Sequence, residues 1–279
     1  TINFIKKNCS VPICIDTEGA QIRSKVRVKR RYKKNQKIIL NRVKGNFNLY
    51  PENIFKKLEK KDCLDIGFDG LEAKVIKKDK NKIYLSCLKD GLLENNKGIH
   101  IKNRKVKMNY VTKKDIEAII IAKKLKIKNF ALSFTSSASD VIKFSKLLPA
   151  SKKIYKIETL IAMKNLKSLF KKGKNFLIDR GDLSKDIGIE NVPVAQRHIF
   201  KVKKKFINRK VSIATNFLES MIEKPFPTRA EVNDIFNALE MGANGLVLAA
   251  ETAVGKHPKE CVDLIRKIIK AYKNQNNNF

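Results

Sequence analysis

The 279-residue chain has no tryptophan, only 8% aromatic residues, and 27 acidic residues against 61 basic ones. Its few aromatics are not interleaved with the basic runs, so the stacking platforms that single-stranded nucleic acid requires are missing. No apolar run approaches the roughly 20 residues that cross a bilayer, so no membrane partner is expected. The opening stretch Thr1-Ile2-Asn3-Phe4-Ile5-Lys6-Lys7 is too short and too broken by charge for a signal peptide. Five scattered cysteines (Cys9, Cys14, Cys63, Cys87, Cys261) form no C-x-x-C pair, which argues against a zinc ribbon and a disulfide framework. A reducing cytoplasm is the expected compartment. The three histidines (His100, His198, His257) are not at ligand spacing. His198 is expected on a helix over Val194–Phe206, in a structural or surface role. No internal repeat or low-complexity linker is present.

What is abundant is positive charge, +34 net. Lysine pairs recur along the chain, at Lys33-Lys34, Lys56-Lys57, Lys77-Lys78, Lys123-Lys124 and Lys203-Lys204-Lys205 among others. Charge spread this evenly reads as a solvated surface that attracts anionic substrates. Nucleic acid is not expected as a partner, although a non-catalytic basic binding protein stays among the alternatives.

Hydrophobic residues make up 43% of the chain, enough for a sizeable core. From about residue 109 onward, short apolar runs alternate with amphipathic stretches. The runs are Phe130–Phe134, Ile154–Ile157, Phe176–Ile178, Val211–Ala214 and Gly245–Ala249, each the length of a buried parallel strand. Val11–Ile15 belongs to the same class. Between them, Val232, Ile235, Phe236 and Leu239, and then Leu264, Ile265, Ile268 and Ile269, recur at helical spacing. That rhythm predicts an α/β fold with parallel strands. Residues 24–108 break it with short alternating strands (Lys25–Arg30, Lys37–Leu40, Ala73–Lys77, Ile83–Cys87) and turns at Gly67, Gly70, Gly91 and Gly98. The segment reads as a small β domain inserted into the α/β part. A helix is expected after it, with Thr112 as N-cap and Asp115 in its first turn.

In parallel α/β barrels the chemistry sits at the carboxyl ends of the strands. Here those ends carry Asp16-Thr17-Glu18-Gly19, Lys156-Ile157-Glu158, Asp179-Arg180-Gly181-Asp182, Thr215-Asn216 and Ala249-Ala250-Glu251-Thr252. Glu158 and Asp182, from adjacent strands, would converge at one rim. They are hard oxygen ligands suited to Mg²⁺ or Mn²⁺ with a phosphorylated substrate. Lys156 and Glu158 are two apart and face the same side of their strand. A lysine there can neutralise charge that develops during phosphoryl transfer. The N–H groups of Gly181 and Asp182 would meet an anion if a helix opens there. One Lys-x-Glu is ordinarily a surface ion pair, so the weight lies in repetition at successive strand ends. By the same standard, the Ser133–Ser139 stretch reads as helix capping.

These segments, in this order, resemble the pyruvate kinase family from about residue 10 to 265. Asp16-Thr17-Glu18-Gly19-Ala20-Gln21-Ile22-Arg23 resembles D-T-K-G-P-E-I-R, and Lys156-Ile157-Glu158 and Arg180-Gly181-Asp182-Leu183 match K-I-E and R-G-D-L. Thr215–Met221 resembles T-Q-M-L-E-S-M, Lys224–Glu231 resembles K-P-R-P-T-R-A-E, and Glu251-Thr252-Ala253 matches E-T-A. Ser133-Phe134 matches the family's A-S-F and would lie near the rim. In the insert, Phe68-Asp69-Gly70-Leu71 resembles D-D-G-L and Lys97–Ile101 resembles the start of K-G-V-N-L-P-G.

The resemblance implies a (β/α)8 (TIM-type) barrel with an inserted β-barrel lid. The expected division is barrel over 1–23, lid over 24–108, barrel over 109–273 and a tail over 274–279. Because the family's first two strands, with their R-x-N-x-S-H motif, have no counterpart here, the barrel is expected to be N-terminally incomplete. The C-terminal regulatory domain has none either. The implied activity is glycolytic phosphoryl transfer from phosphoenolpyruvate to ADP, giving pyruvate and ATP, in a homo-oligomer. Glu158 and Asp182 would hold Mg²⁺ or Mn²⁺, and Asp16 and Thr17 would be ligands of K⁺. Lys156 and Thr215 would be catalytic, with Lys156, Arg180, Gly181, Asp182 and Thr215 binding substrate. Arg23 and Lys97 would approach the nucleotide, with Asp69 a further candidate there. The chain departs from the family pattern at Glu18, Ala20, Gln21, Ser184 and Ala249-Ala250. Those departures motivate a second reading, a diverged barrel acting on another 2-oxo acid or phosphate ester.

Overall fold

The computed structural model describes residues 1–67, 70–104 and 106–275; Phe68 and Asp69 of the D-D-G-L match lie outside them. The chain divides into two compact units, Ala20–Thr112 and the remainder, Thr1–Gly19 with Lys113–Phe279.

The chain opens with helix α1 (Ile2–Asn8) and strand β1 (Cys14–Asp16). It then builds the inserted unit from β2 (Ile22–Val26), β3 (Arg30–Tyr32), β4 (Lys37–Asn41), β5 (Phe47–Tyr50), the short α2 (Ile54–Lys57), β6 (Cys63–Ile66), β7 (Leu71–Lys78), β8 (Lys82–Lys89), β9 (Gly91–Leu93) and β10 (Gly98–Ile101). Seven of these strands form one antiparallel sheet in the order β4-β8-β7-β6-β10-β2-β5, and β3 pairs with β9. Alternation drives it: Ile22, Ser24 and Val26, then Phe47 and Leu49, then Leu71, Ala73 and Val75 are buried while their neighbours are not. Lys25–Arg30 is not one strand. The amide N–H of Val26 is taken by the Asn95 side chain at 3.0 Å and that of Val28 by the Asn46 side chain at 2.8 Å, so side chains end the ladder early. Gly91 and Gly98 open strands instead of marking turns. At Gly91 a Cβ would lie 2.3 Å from the Leu71 nitrogen, so the close approach of the two backbones there requires glycine.

The other unit resumes with α3 (Lys113–Lys124), β11 (Asn129–Leu132), α4 (Ala138–Leu147), β12 (Lys152–Ile157), α5 (Leu160–Lys164), α6 (Leu166–Lys172), β13 (Asn175–Asp179), α7 (Arg180–Ile187), α8 (Val192–Lys203), β14 (Lys210–Ala214), α9 (Arg229–Glu240), β15 (Gly245–Val247), α10 (Ala250–Ala253) and α11 (Pro258–Lys273). Its six strands pair in parallel in sequence order, β1-β11-β12-β13-β14-β15, so β1 and β15 are the edges. The fold is mixed α/β with a parallel half-barrel sheet. On one face of that sheet Phe130, Leu132, Tyr155, Ile157, Phe176, Ile178, Val211 and Ile213 are all buried. There Tyr155 and Phe176 pack with Phe144 of α4 and Phe170 of α6. The alternate residues Ile154, Leu177 and Ser212 are only half-buried. Lys156 and Asp179 belong to this second set, which places them away from the helix-packed core.

Among the described residues, no helix is long and apolar enough to cross a membrane. Helix α3 begins at Lys113, and Asp115 in its first turn is buried. Its carboxylate accepts hydrogen bonds from the main-chain nitrogens of Glu18 (2.7 Å) and Gly19 (3.1 Å). The residue therefore anchors the turn that follows β1, beyond any favourable contact with the helix dipole. The Ser-rich stretch caps α4 as expected: Ser137 and Asp140 form a reciprocal capping box.

Candidate active site

Three of the parallel strands deliver polar groups to one place. β12 carries Lys156 and runs into Glu158, β13 ends in Asp179, and β1 ends in Asp16. The Lys156 ammonium lies 2.9 Å from Oε1 of Glu158, 3.1 Å from Oδ2 of Asp179 and 3.1 Å from Oδ2 of Asp16. The Lys156 and Glu158 side chains are 8% and 0% exposed, whereas Asp16 is 55% exposed. Burial by itself would lower the lysine's pKa. Attraction to Glu158, Asp16 and Asp179 outweighs it and raises the group above an ordinary lysine, so Lys156 is a fixed positive charge. Burial pushes the Glu158 carboxyl up, against the pull of Lys156 and the Phe134 N–H bond.

The surrounding backbone is fitted to these groups. Phe134, with φ +53°, turns its N–H onto Oε2 of Glu158. Ser133 donates its hydroxyl to Asp16 (3.0 Å), and its N–H reaches the Thr17 hydroxyl (3.1 Å). Gly19, with φ +64°, passes so close to Ser133 that a Cβ would sit 2.5 Å from the Ser133 carbonyl oxygen. That contact explains the glycine after Asp16-Thr17-Glu18.

Asp179 ends β13 and caps α7, with Oδ1 3.5 Å from the Asp182 nitrogen. Asp182 stands in the first turn of α7, beside Glu158 and Asp179. Each of these three carboxylates offers an oxygen within 4.8 Å of the others, which makes a hard-donor set of the type a small divalent cation takes. Oε1 of Glu158 is buried and has the Lys156 ammonium at 2.9 Å as its partner. A buried carboxylate oxygen held against a positive charge suits a cation.

Thr215 follows β14 with φ +75°, and Asn216 follows with φ +54°. Two consecutive left-handed residues, one of them β-branched, are held by local contacts. The Thr215 hydroxyl donates to the Ala214 carbonyl (2.6 Å) and accepts from the Gly181 N–H (2.9 Å). The Gly181 and Asp182 amides expected to meet an anion are therefore already engaged within the chain. Arg180 is turned to structural use as well. It donates twice to the Thr215 carbonyl, pairs with Asp234 of α9 at 2.6 Å and stacks 4.2 Å over Phe217.

The structure thus gathers Asp16, Lys156, Glu158 and Asp182 of the expected set. Thr215, Gly181 and Arg180 form a linked group on the neighbouring strand ends. Arg23 and Lys97 belong to the other unit, where Arg23 pairs with Gly98 across β2 and β10 and donates to the Asn96 carbonyl, and the Lys97 ammonium pairs with Glu94. Sequence reasoning gave no role to Asp179, although it stands in the quoted strand-end motif. It also missed the structural duty of Glu251, a buried carboxylate that accepts from the nitrogens of Phe217, Leu218 and Ala249. His198 is exposed on α8, clear of the site.

A mixed α/β chain with a charged rim at the carboxyl ends of its parallel strands is the class that fold and site define. The family model described as pyruvate kinase, barrel domain, matches residues 3–262. Proteins named pyruvate kinase resemble the chain throughout. That of Thermotoga maritima is 34% identical over 95% of this chain and 59% of its own length. That of Buchnera aphidicola is 32% identical over 96% and 59%, and that of Methanocaldococcus jannaschii 29% identical over 96% and 60%. The chain belongs to the pyruvate kinase family, and it spans about 60% of the length of these relatives.

Proposed function

We propose that this chain forms the catalytic part of a divalent-cation-dependent phosphotransferase that moves the phosphoryl group of phosphoenolpyruvate to ADP. In that reaction the bond from phosphorus to the enol oxygen breaks and a bond to the terminal ADP oxygen forms. The enolate then takes a proton at carbon to give pyruvate. The observation that carries this reading is the buried Lys156 ammonium among the strand-end carboxylates Asp16, Glu158 and Asp179. A fixed positive charge there stabilises the negative charge spread over a phosphoryl group in flight.

Glu158 and Asp182 would hold Mg²⁺ or Mn²⁺, and the donor set fits. The bound ion would act as a Lewis acid toward the phosphoryl oxygens. Thr215, placed by the Arg180 and Gly181 contacts, would border the substrate. A monovalent cation at Asp16 and Thr17 rests on resemblance, and both side chains already have partners in Lys156 and Ser133. The further donors of a K⁺ shell would come from a segment like the family's R-x-N-x-S-H. By resemblance, the same upstream region would supply the two strands that close the sheet between β1 and β15. Residues 24–108 are assigned the lid, with Arg23 and Lys97 on the nucleotide side, and a homo-oligomeric, cytoplasmic enzyme of glycolysis is the matching setting.

The second reading keeps the cation site and changes the substrate. It is favoured by Ala249-Ala250 where the family has Ser-Gly, a place that could serve the protonation step. The test is turnover by the full-length protein with Mg²⁺, K⁺ and ADP, comparing phosphoenolpyruvate with other phosphate esters of 2-oxo acids. Pyruvate and ATP formed in equal amounts from phosphoenolpyruvate support the first reading. No turnover with phosphoenolpyruvate and saturable turnover with another ester would replace it by the second.

A further inference from the structure

We infer that Asp179 is a third carboxylate of the divalent-cation site, and that Lys156 stands in that site as an internal counter-ion which the divalent cation displaces from Glu158 and Asp179. The inference rests on the proposed reading of Glu158 and Asp182 as cation ligands and adds a residue that this reading does not use.

Three observations carry it. Asp179 lies within ligand distance of both Glu158 and Asp182, so the cluster is a triad. Oε1 of Glu158 is fully buried with the Lys156 ammonium 2.9 Å away as its partner, and Oδ2 of Asp179 faces the same ammonium at 3.1 Å, so both oxygens already sit against a cation. The charge balance is also negative. Asp16, Glu158, Asp179 and Asp182 face the site, with the Lys156 ammonium against the first three and the Lys185 ammonium against Asp182, so four carboxylates meet two ammonium groups. Lys185 pairs with Asp182 from the half-exposed side of α7, and Arg180 is spent on Asp234 and the Thr215 carbonyl. A compact dication answers that excess better than an ammonium does, and two of the three Lys156 contacts are to residues of the triad.

The competing explanation of Asp179 is that it only caps α7. A cap accepts a hydrogen bond and needs no charge, and asparagine serves as well as aspartate there. The 3.5 Å separation from the Asp182 nitrogen is at the limit of a hydrogen bond, whereas the ion pair to Lys156 is short. Asp179→Asn therefore separates the two roles, because it keeps the cap and removes the charge.

The experiment titrates Mn²⁺ into the full-length protein and reads free Mn²⁺ by electron paramagnetic resonance, for wild type, Asp179→Asn, Glu158→Gln and Lys156→Met. The inference expects Asp179→Asn to weaken Mn²⁺ binding by roughly 10–100-fold with unchanged circular dichroism. It expects Lys156→Met to bind Mn²⁺ more tightly than wild type, since the competing cation is gone. Binding within twofold of wild type in Asp179→Asn, with binding lost in Glu158→Gln, overturns the third ligand and leaves the proposed function standing. Equal or weaker binding in Lys156→Met overturns the counter-ion role. Absence of Mn²⁺ binding by wild type overturns both this inference and the reading beneath it. A measurement on wild type alone covers the case of a misfolded variant: acetylation of the Lys156 amine, followed by mass spectrometry, should speed up when Mn²⁺ is added. An unchanged rate contradicts displacement.

Discussion

Nε and Nη2 of Arg180 both donate to the main-chain oxygen of Thr215, at 3.1 and 2.6 Å. This fork holds the left-handed Thr215-Asn216 turn whose side chain borders the proposed substrate site. A lysine has one point charge and no fork, so Arg180→Lys does not replace it. The expected result is a loss of about 1.5–3 kcal/mol in stability, the value of hydrogen bonds to a charged group, with kcat falling more than KM rises. Asp234→Asn should act the same way and more weakly, because Asp234 is 37% exposed. Chemical denaturation and steady-state kinetics on the two variants check this.

Removing Lys156 leaves Glu158, Asp179 and Asp16 facing one another. Breaking a buried ion pair costs about 3–5 kcal/mol, and the lower end applies here because Asp16 is more than half exposed. Lys156→Met should therefore melt well below wild type without a divalent cation. Addition of Mg²⁺ should raise its melting temperature by more than that of wild type, since the ion replaces the lost positive charge. Thermal melts with and without Mg²⁺ decide it.

Gly19 has φ +64° and no room for a Cβ against the Ser133 carbonyl. Gly19→Ala should destabilise by about 1–3 kcal/mol through overpacking and a strained backbone. The displaced Ser133 would also lose its hold on Asp16, the proposed K⁺ ligand, so activation by K⁺ should weaken in parallel. Melting and a K⁺ titration of the activity of this variant report both effects.

Glu231 supplies a pH-dependent element outside the site. Burial would raise its pKa, yet hydrogen bonds from the hydroxyls and main-chain nitrogens of Ser220 and Thr228 prevail and hold it below the ordinary glutamate value. A depressed carboxyl stabilises the fold above its unfolded pKa, and that contribution is lost as pH falls through the folded value. At neutral pH, Glu231→Gln should be less stable than wild type by about 1–2 kcal/mol, discounted for partial exposure. The gap should close in acid as the wild-type carboxyl protonates. Urea melts at neutral pH and at successively more acid pH below the ordinary glutamate range follow the gap.

Much of this was legible in the sequence because the parallel strands of an α/β unit leave short, nearly continuous apolar runs, and the polar groups that follow them stand out. Lys156 and Glu158 could be placed together from their spacing of two alone. The inserted unit was harder to divide. The chain around Val26 and Val28 ends its ladder with side-chain amides of Asn95 and Asn46, which no periodicity announces. Gly91 and Gly98 looked like turns because the pressure for glycine at Gly91 comes from the approach of Leu71, distant in sequence. Asp179 was hidden for a related reason: as the residue before a helix it reads as an ordinary cap, and only the folded strand end brings it to Lys156. Arg180 could not be told from a substrate-binding arginine until Asp234 and the Thr215 carbonyl appeared beside it.

The most direct test of the account is the rate of ATP formation from phosphoenolpyruvate and ADP by the full-length protein with Mg²⁺, compared with Lys156→Met under conditions where both are folded. If Lys156 stabilises the phosphoryl group in flight, the variant should lose roughly 10²–10³-fold in kcat, as when one preorganised charge-stabilising group is removed. A Lys156→Met protein that binds Mg²⁺ and turns over at the wild-type rate would contradict it.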